Sequence, residues 1–275
     1  MRNPFRTALY LGIDEVAITL VDERRGRARP ALFQVAWPAH DAAAVVLYAQ
    51  QLAELFKEAK VHGARMHIVL ADALVRYFTV IPPANIADFR DCEAAAAMRF
   101  AALFDEAPAR WEIQADWHLT QPFLACAVPR ALKACLEQSA RAANVTLMGV
   151  APQYVSAWNR WRRQLTADSW LVLAHGAQLS LGVAIAGELK SVKRLASTGS
   201  DDDALTFLPG LLAREALSLG RDLPARVAII APLAGQWSAA DAEAAGLHRL
   251  DKTLSGDVPE PMRDGVALAR TGCRP

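Results

Sequence analysis

Residues 8–22 read Ala8-Leu9-Tyr10-Leu11-Gly12-Ile13-Asp14-Glu15-Val16-Ala17-Ile18-Thr19-Leu20-Val21-Asp22, and the fold turns on this stretch. Ala8 to Ile13 and Val16 to Asp22 are apolar runs, with only Asp14 and Glu15 between them. Two strand-like runs divided by two polar residues predict a tight hairpin. The basic run Arg24 to Arg29 then turns the chain into a third strand, Ala31 to Ala36.

Outward from this hairpin, strand-like and helix-like segments alternate, which predicts an α/β fold. Asp41 can cap a helix reaching Lys60, because Val45, Ala49, Leu52, Phe56 and Ala59 fall on one helical face. Strands follow at Met66 to Ala71 and at Arg76 to Ile81, the latter closed by Pro82-Pro83. Glu93 to Phe104 reads as a helix, Trp111 to Trp117 as an alternating strand and Phe123 to Val128 as another strand. Arg130 to Ala143 and Tyr154 to Leu165 read as helices. Trp170 to Ala174, Leu179 to Ala186 and Glu188 to Leu195 read as a second three-stranded meander, whose first turn holds His175-Gly176. A helix at Phe207 to Leu219, a buried strand at Val227 to Ala231 and a helix at Met262 to Ala269 complete the chain. Thr166 to Ser169 is the best domain boundary.

The 275 residues can bury a sizeable core, and 53% hydrophobic with 21% charged residues excludes overall disorder. Thirty basic against 29 acidic residues give a net charge of +1, which points to no nucleic-acid partner. Cys92, Cys126, Cys135 and Cys273 form no CxxC pair and read as reduced thiols. No secretory apolar region and no 18-residue apolar window are visible, so a cytoplasmic chain is expected.

The order of parts, a hairpin at Gly12-Ile13-Asp14 and a second hairpin at Ala174-His175-Gly176, resembles the actin-like, ribonuclease H-like two-half fold. More narrowly, it is similar to the PilM proteins of type IV pilus machines and to the cytoplasmic part of GspL from type II secretion. Three stretches carry this: Leu11-Gly12-Ile13-Asp14, Phe123 to Tyr154 with its strand–helix–strand order, and the closing Asp264-Gly265-Val266-Ala267-Leu268-Ala269-Arg270. The resemblance implies a first half at 1–166 with a subdomain inserted at about 79–146, and a reduced second half at 167–275. Asp14, Gly176 and Gly235 then mark vestigial nucleotide loops.

The departures point away from nucleotide chemistry. Val16 stands where the family has a phosphate-approaching glycine, and Ala174-His175-Gly176 stands where it has Asp-x-Gly. Pro232-Leu233-Ala234-Gly235 keeps one of two adenosine-loop glycines. Residues 196–206 leave about ten positions where the family inserts a base-covering subdomain. No catalysis, cofactor or metal is therefore expected. The implied function is a scaffold at the inner membrane, binding a PilN-like membrane protein and the assembly motor ATPase. An actin-like ATPase or kinase that retains ATP binding is the alternative.

Individual side chains carry two readings each. Asp14 could hold a metal-bound water, or accept hydrogen bonds from its own turn. His175 could act as a general base, or close a hairpin. Asp201-Asp202-Asp203 could wrap a cation, but suits a helix N-terminus better. Trp158 and Trp161, with Arg160, Arg162 and Arg163, could stack bases or anchor a core. Met98, Phe100, Leu103 and Phe104 spread over more than half a turn, so Arg99 and Phe100 are expected beside a peptide groove.

Overall fold

The computed structural model describes residues 9–23, 31–36, 44–84, 88–176, 178–195, 204–224, 226–231, 243, 246–251, 258–259 and 262–272. Strands β1 (Leu9–Ile13), β2 (Ala17–Asp22) and β3 (Ala31–Ala36) form an antiparallel meander. Helix α1 (Ala44–Glu58) leads to β4 (Arg65–Leu70), which pairs parallel to β1. Strand β8 (Thr146–Pro152) pairs parallel to β4 and completes a five-stranded sheet in the order β3-β2-β1-β4-β8.

The second large sheet repeats this plan. Strands β9 (Ser169–His175), β10 (Gln178–Ile185) and β11 (Glu188–Leu195) form a meander, and β12 (Val227–Ile230) and β13 (Leu247–Arg249) add in parallel. Its order, β11-β10-β9-β12-β13, is again third, second, first, fourth, fifth. Helix α4 (Gln153–Trp161) joins the two sheets, and α5 (Ala204–Leu219) covers the second. This sheet keeps all five strands. The short connection expected at 196–206 lies outside the described residues up to 203, as do Arg24 to Arg29, Asp201 to Asp203, Gly235 and Cys273.

Every residue of β1 and β2 is buried because the sheet is covered on both faces, as continuous apolar runs require. One face carries Leu9, Leu11, Ile13, Ile18 and Leu20 against Leu52, Leu55 and Phe56 of α1 and Leu132 and Leu136 of α3 (Arg130–Ala142). The other face receives α6 (Arg263–Thr271), with Tyr10 and Val21 against Val266 and Ala269. This contact is backbone-tight: a Cβ at Gly12 would lie 2.8 Å from Ala269 N and from Gly265 O. The last helix therefore belongs structurally to the first sheet, which corrects the assignment of all of 167–275 to the second half.

The inserted unit is a three-stranded antiparallel sheet, β5 (Arg76–Val80), β7 (Phe123–Pro129) and β6 (Trp111–Ala115), covered by α2 (Phe89–Phe104). It occupies 76–129 rather than 79–146, since α3 and β8 pack with the first sheet. Helix α2 starts four residues before the expected Glu93, because Asp88 accepts from Arg90 N at 2.8 Å and Asp91 accepts from Asp88 N at 3.3 Å. That reciprocal capping satisfies donors the first helical turn leaves open. Phe100 is completely buried against Phe78 and Trp111, and this corrects its placement at a groove: its ring fills the core between α2 and the small sheet. Arg99 beside it is exposed.

Candidate functional site: two facing hairpin turns and a groove

The β1–β2 and β9–β10 turns meet. Asp14 Oδ1 accepts from Val16 N at 2.8 Å and from Ala17 N at 2.7 Å, and Asp14 N donates to Ala17 O at 3.1 Å. The carboxylate thus occupies two amides of its own turn. Its other oxygen lies 3.7 Å from His175 Nε2 at the end of β9. Gln178 Nε2 donates to Glu15 Oε2 at 2.9 Å, a second bond from turn to turn. Gly176, at φ +52°, turns the second hairpin beside Asp264 of α6, whose Oδ2 would lie 3.7 Å from a Cβ there. Burial pushes the Asp14 carboxyl up, but His175 and the amides of Val16 and Ala17 outweigh it, and the group titrates below the usual carboxylate range.

Beneath the turns lies a buried network. Asp72 follows β4 and accepts from the Tyr77 hydroxyl at 2.6 Å and from Tyr154 N at 3.0 Å. The Ser180 side chain of β10 also draws its titration down. Burial raises its carboxyl above the ordinary range, against the pull of these donors and of His175. Tyr154 is fully buried and donates to Leu171 O of β9 at 2.6 Å. Its ring lies on Gly182, where a Cβ would sit 2.2 Å from the phenolic oxygen. Thr79 Oγ1 donates to Lys190 O at 3.1 Å, so the inserted unit is also tied to β11.

The first turn leaves few backbone amides free for a phosphate. A phosphate cradle needs free backbone amides pointing into an open space. Here two amides of the first turn are taken by Asp14, and side chains bridge the space between the turns. Among the described residues no group of three His, Cys, Asp or Glu side chains could hold a metal.

A groove of about 660 Å³ opens on the face of the small sheet opposite α2. Glu112, Gln114, Cys126 and Val128 form one wall, and Lys133 with Leu147, Met148 and Val150 the other. Among the described residues β6 and β8 are both sheet edges, and the groove runs between them. Lys133 pairs with Glu112, and with Glu137 at 3.7 Å, while Arg141 reaches Glu137 at 3.7 Å. The Lys133 ammonium holds the Glu112 carboxyl below its usual range.

No protein-family model matches the sequence, and no curated protein does. Solved structures do match. The PilM–PilN type IV pilus biogenesis complex superposes with a TM-score of 0.59 at 14% identity, covering 98% of this chain and 97% of that one. The cytoplasmic domain of EpsL, an inner membrane component of the type II secretion system of Vibrio cholerae, gives 0.55 at 15%, covering 96% and 93%. A Bacteroides thetaiotaomicron protein with actin-like ATPase fold gives 0.53 at 8%, covering 100% of both chains. The chain has the actin-like ATPase fold.

Within this actin-like frame, Asp14 and Gly176 lie at the facing turns, and Gly235 lies outside the described residues. Arg99 and Phe100 sit on α2, across the small sheet from the groove, and are not brought to it. Trp158 is buried in the core shared by α4 and the second sheet, with Trp161 packed against it. Asp72, Tyr154, Ser180 and Gly182 were missed by the sequence reading. The available signal was an acid directly after the buried run Met66 to Ala71, since α/β sites gather at carboxyl ends of parallel strands. Among the described residues no helix is long and apolar enough to cross a membrane.

Proposed function

We propose that this actin-like chain is a non-catalytic adaptor of an inner-membrane assembly platform of the type IV pilus or type II secretion kind. The observation that carries the reading is the pair of turns bonded to each other where a nucleotide would have to enter. Asp14 and Gly176 are then remnants of nucleotide loops, reused to hold the two halves together. The likeness to a PilM–PilN complex supports a PilN-like membrane partner for this chain, and the groove between β6 and β8 suits its short cytoplasmic segment. An extended segment can add main-chain hydrogen bonds to an open strand edge, while side-chain slots select its sequence. The assembly motor ATPase is the second partner, and the chain works on the cytoplasmic side, peripheral to the membrane through these contacts.

The test is titration with a labelled N-terminal peptide of a PilN-like membrane protein. Met148 is 47% exposed in the groove, so Met148→Glu leaves the core intact. Binding by the parent, weakened tenfold or more by Met148→Glu and unchanged by Arg99→Glu, supports the reading, because an anchor of this kind is worth about 1.4 kcal/mol or more. Equal binding by all three proteins, or none by the parent, overturns it.

A further inference from the structure

Helix α2 has a second apolar face that its own fold leaves open. Cys92, Ala95, Ala96 and Phe100 are buried in the core of the inserted unit. On the opposite side Arg90, Ala94, Met98, Ala101 and Asp105 succeed one another at helical spacing, and all are exposed. Met98 is 67% exposed. A helix with one buried face ordinarily carries polar residues over the middle of the other. Here the middle is apolar, and the only charges in the row stand at its ends.

These charges are opposite in sign. Arg90 stands at the first turn and Asp105 at the C-terminal cap, and neither has an ion-pair partner among the described residues. The neighbouring Glu106 is already taken, by Arg76 and by the Trp111 indole. A row that is basic at one end, acidic at the other and apolar between is complementary to itself run backwards.

We propose that α2 is a self-association face that packs antiparallel against α2 of a second copy of this chain. A two-fold axis between residues 97 and 98 sets Arg90 against the partner copy's Asp105, and Ala94 against its Ala101. Met98 then crosses at the axis. Both ion pairs form at once, as a two-fold contact requires. The alanines allow close approach, and the flexible thioether adapts to the crossing. Antiparallel packing also sets each helix's positive end beside the other's negative end. The proposal stands apart from the adaptor reading, since the groove lies on the other face of the small sheet.

One helix face gives a contact smaller than the roughly 800 Å² per partner of a standard interface, so the dimer is weak. Sedimentation equilibrium from about 10 μM to 1 mM, the range suited to so small an interface, should show reversible dimerisation. Met98→Glu, Arg90→Glu and Asp105→Lys should each weaken it at least tenfold, with melting close to the parent. The decisive sample is an equimolar mixture of Arg90→Glu and Asp105→Lys. In the mixed pair both contacts are again between opposite charges, so association should return towards the parental level. A parent monomeric throughout, variants that dimerise like the parent, or a mixture no better associated than its components overturns the proposal.

Discussion

Gln178 Nε2 donates to Glu15 Oε2 at 2.9 Å across 163 residues of chain. Together with the 3.7 Å approach of His175 to Asp14, it joins the two hairpin turns at the place where an actin-like fold would admit phosphate. Beneath them Tyr154, whose amide is held by Asp72, donates its hydroxyl to Leu171 O of β9 and so reaches from the first half to the second. The two halves are therefore tied by side-chain contacts at the turns and by the Tyr154 hydroxyl beneath them.

Gly182 is the point where this closure depends on an absent side chain. A methyl group there would meet the Tyr154 ring at 2.2–2.6 Å. Gly182→Ala should cost about 1–3 kcal/mol in urea denaturation through overpacking. Combined with Tyr154→Ala, it should add much less than its single cost, because the atom it strikes is gone. Additive costs would show that the two residues do not meet.

Asp72 satisfies two buried donors at once. Asp72→Ala should cost about 3 kcal/mol, because the Tyr77 hydroxyl and the Tyr154 amide lose their acceptor. Asp72→Asn keeps an acceptor oxygen and should cost less than half as much. Chemical denaturation of both at neutral pH checks the order.

The two cleft carboxyls predict opposite pH slopes. Asp14 is held below its ordinary value near 3.8, so its contribution is present above that value and is lost as pH falls through the folded-state value. The stability gap between parent and Asp14→Asn should shrink on acidification. Asp72 is raised, so its contribution is fully present below 3.8 and is lost as pH rises through the folded-state value. Relative to Asp72→Asn, the parent should therefore gain on acidification. Denaturation series from about pH 3 to pH 7 read both signs.

Phe100 and Arg99 separate core from surface. Phe100→Ala should cost about 3–5 kcal/mol by emptying the space between Phe78, Phe104 and Trp111. Arg99→Glu should stay within about 0.5 kcal/mol. Thermal melts of the two variants distinguish these outcomes.

Both meanders could be read from the chain because each is local: apolar runs separated by Asp14-Glu15 and by His175-Gly176 pair across short turns. The self-capped Asp14 was one of two open readings, and its spacing from Val16 and Ala17 suffices for it. Phe100 was misplaced because helical azimuth says which residues share a face, not how wide a sheet lies below. Here the strands reach Phe100 and Phe104 together. The start of α2 was missed because Asp88 and Asp91 cap reciprocally with two aspartates, a pattern outside the usual Ser/Thr and Glu pairing. The return of α6 to the first sheet and the Asp72 network rest on contacts between distant residues, and no local pattern encodes them.

The central claim is that the actin-like cleft of this chain no longer takes nucleotide. Its most direct test is calorimetric titration with ATP and Mg²⁺, alongside the melting temperature at millimolar ATP. A ligand at 100 times its Kd would add about 2.7 kcal/mol of stability. The closed turns predict no binding heat and no shift in melting; a micromolar Kd with a raised melting temperature would contradict the account.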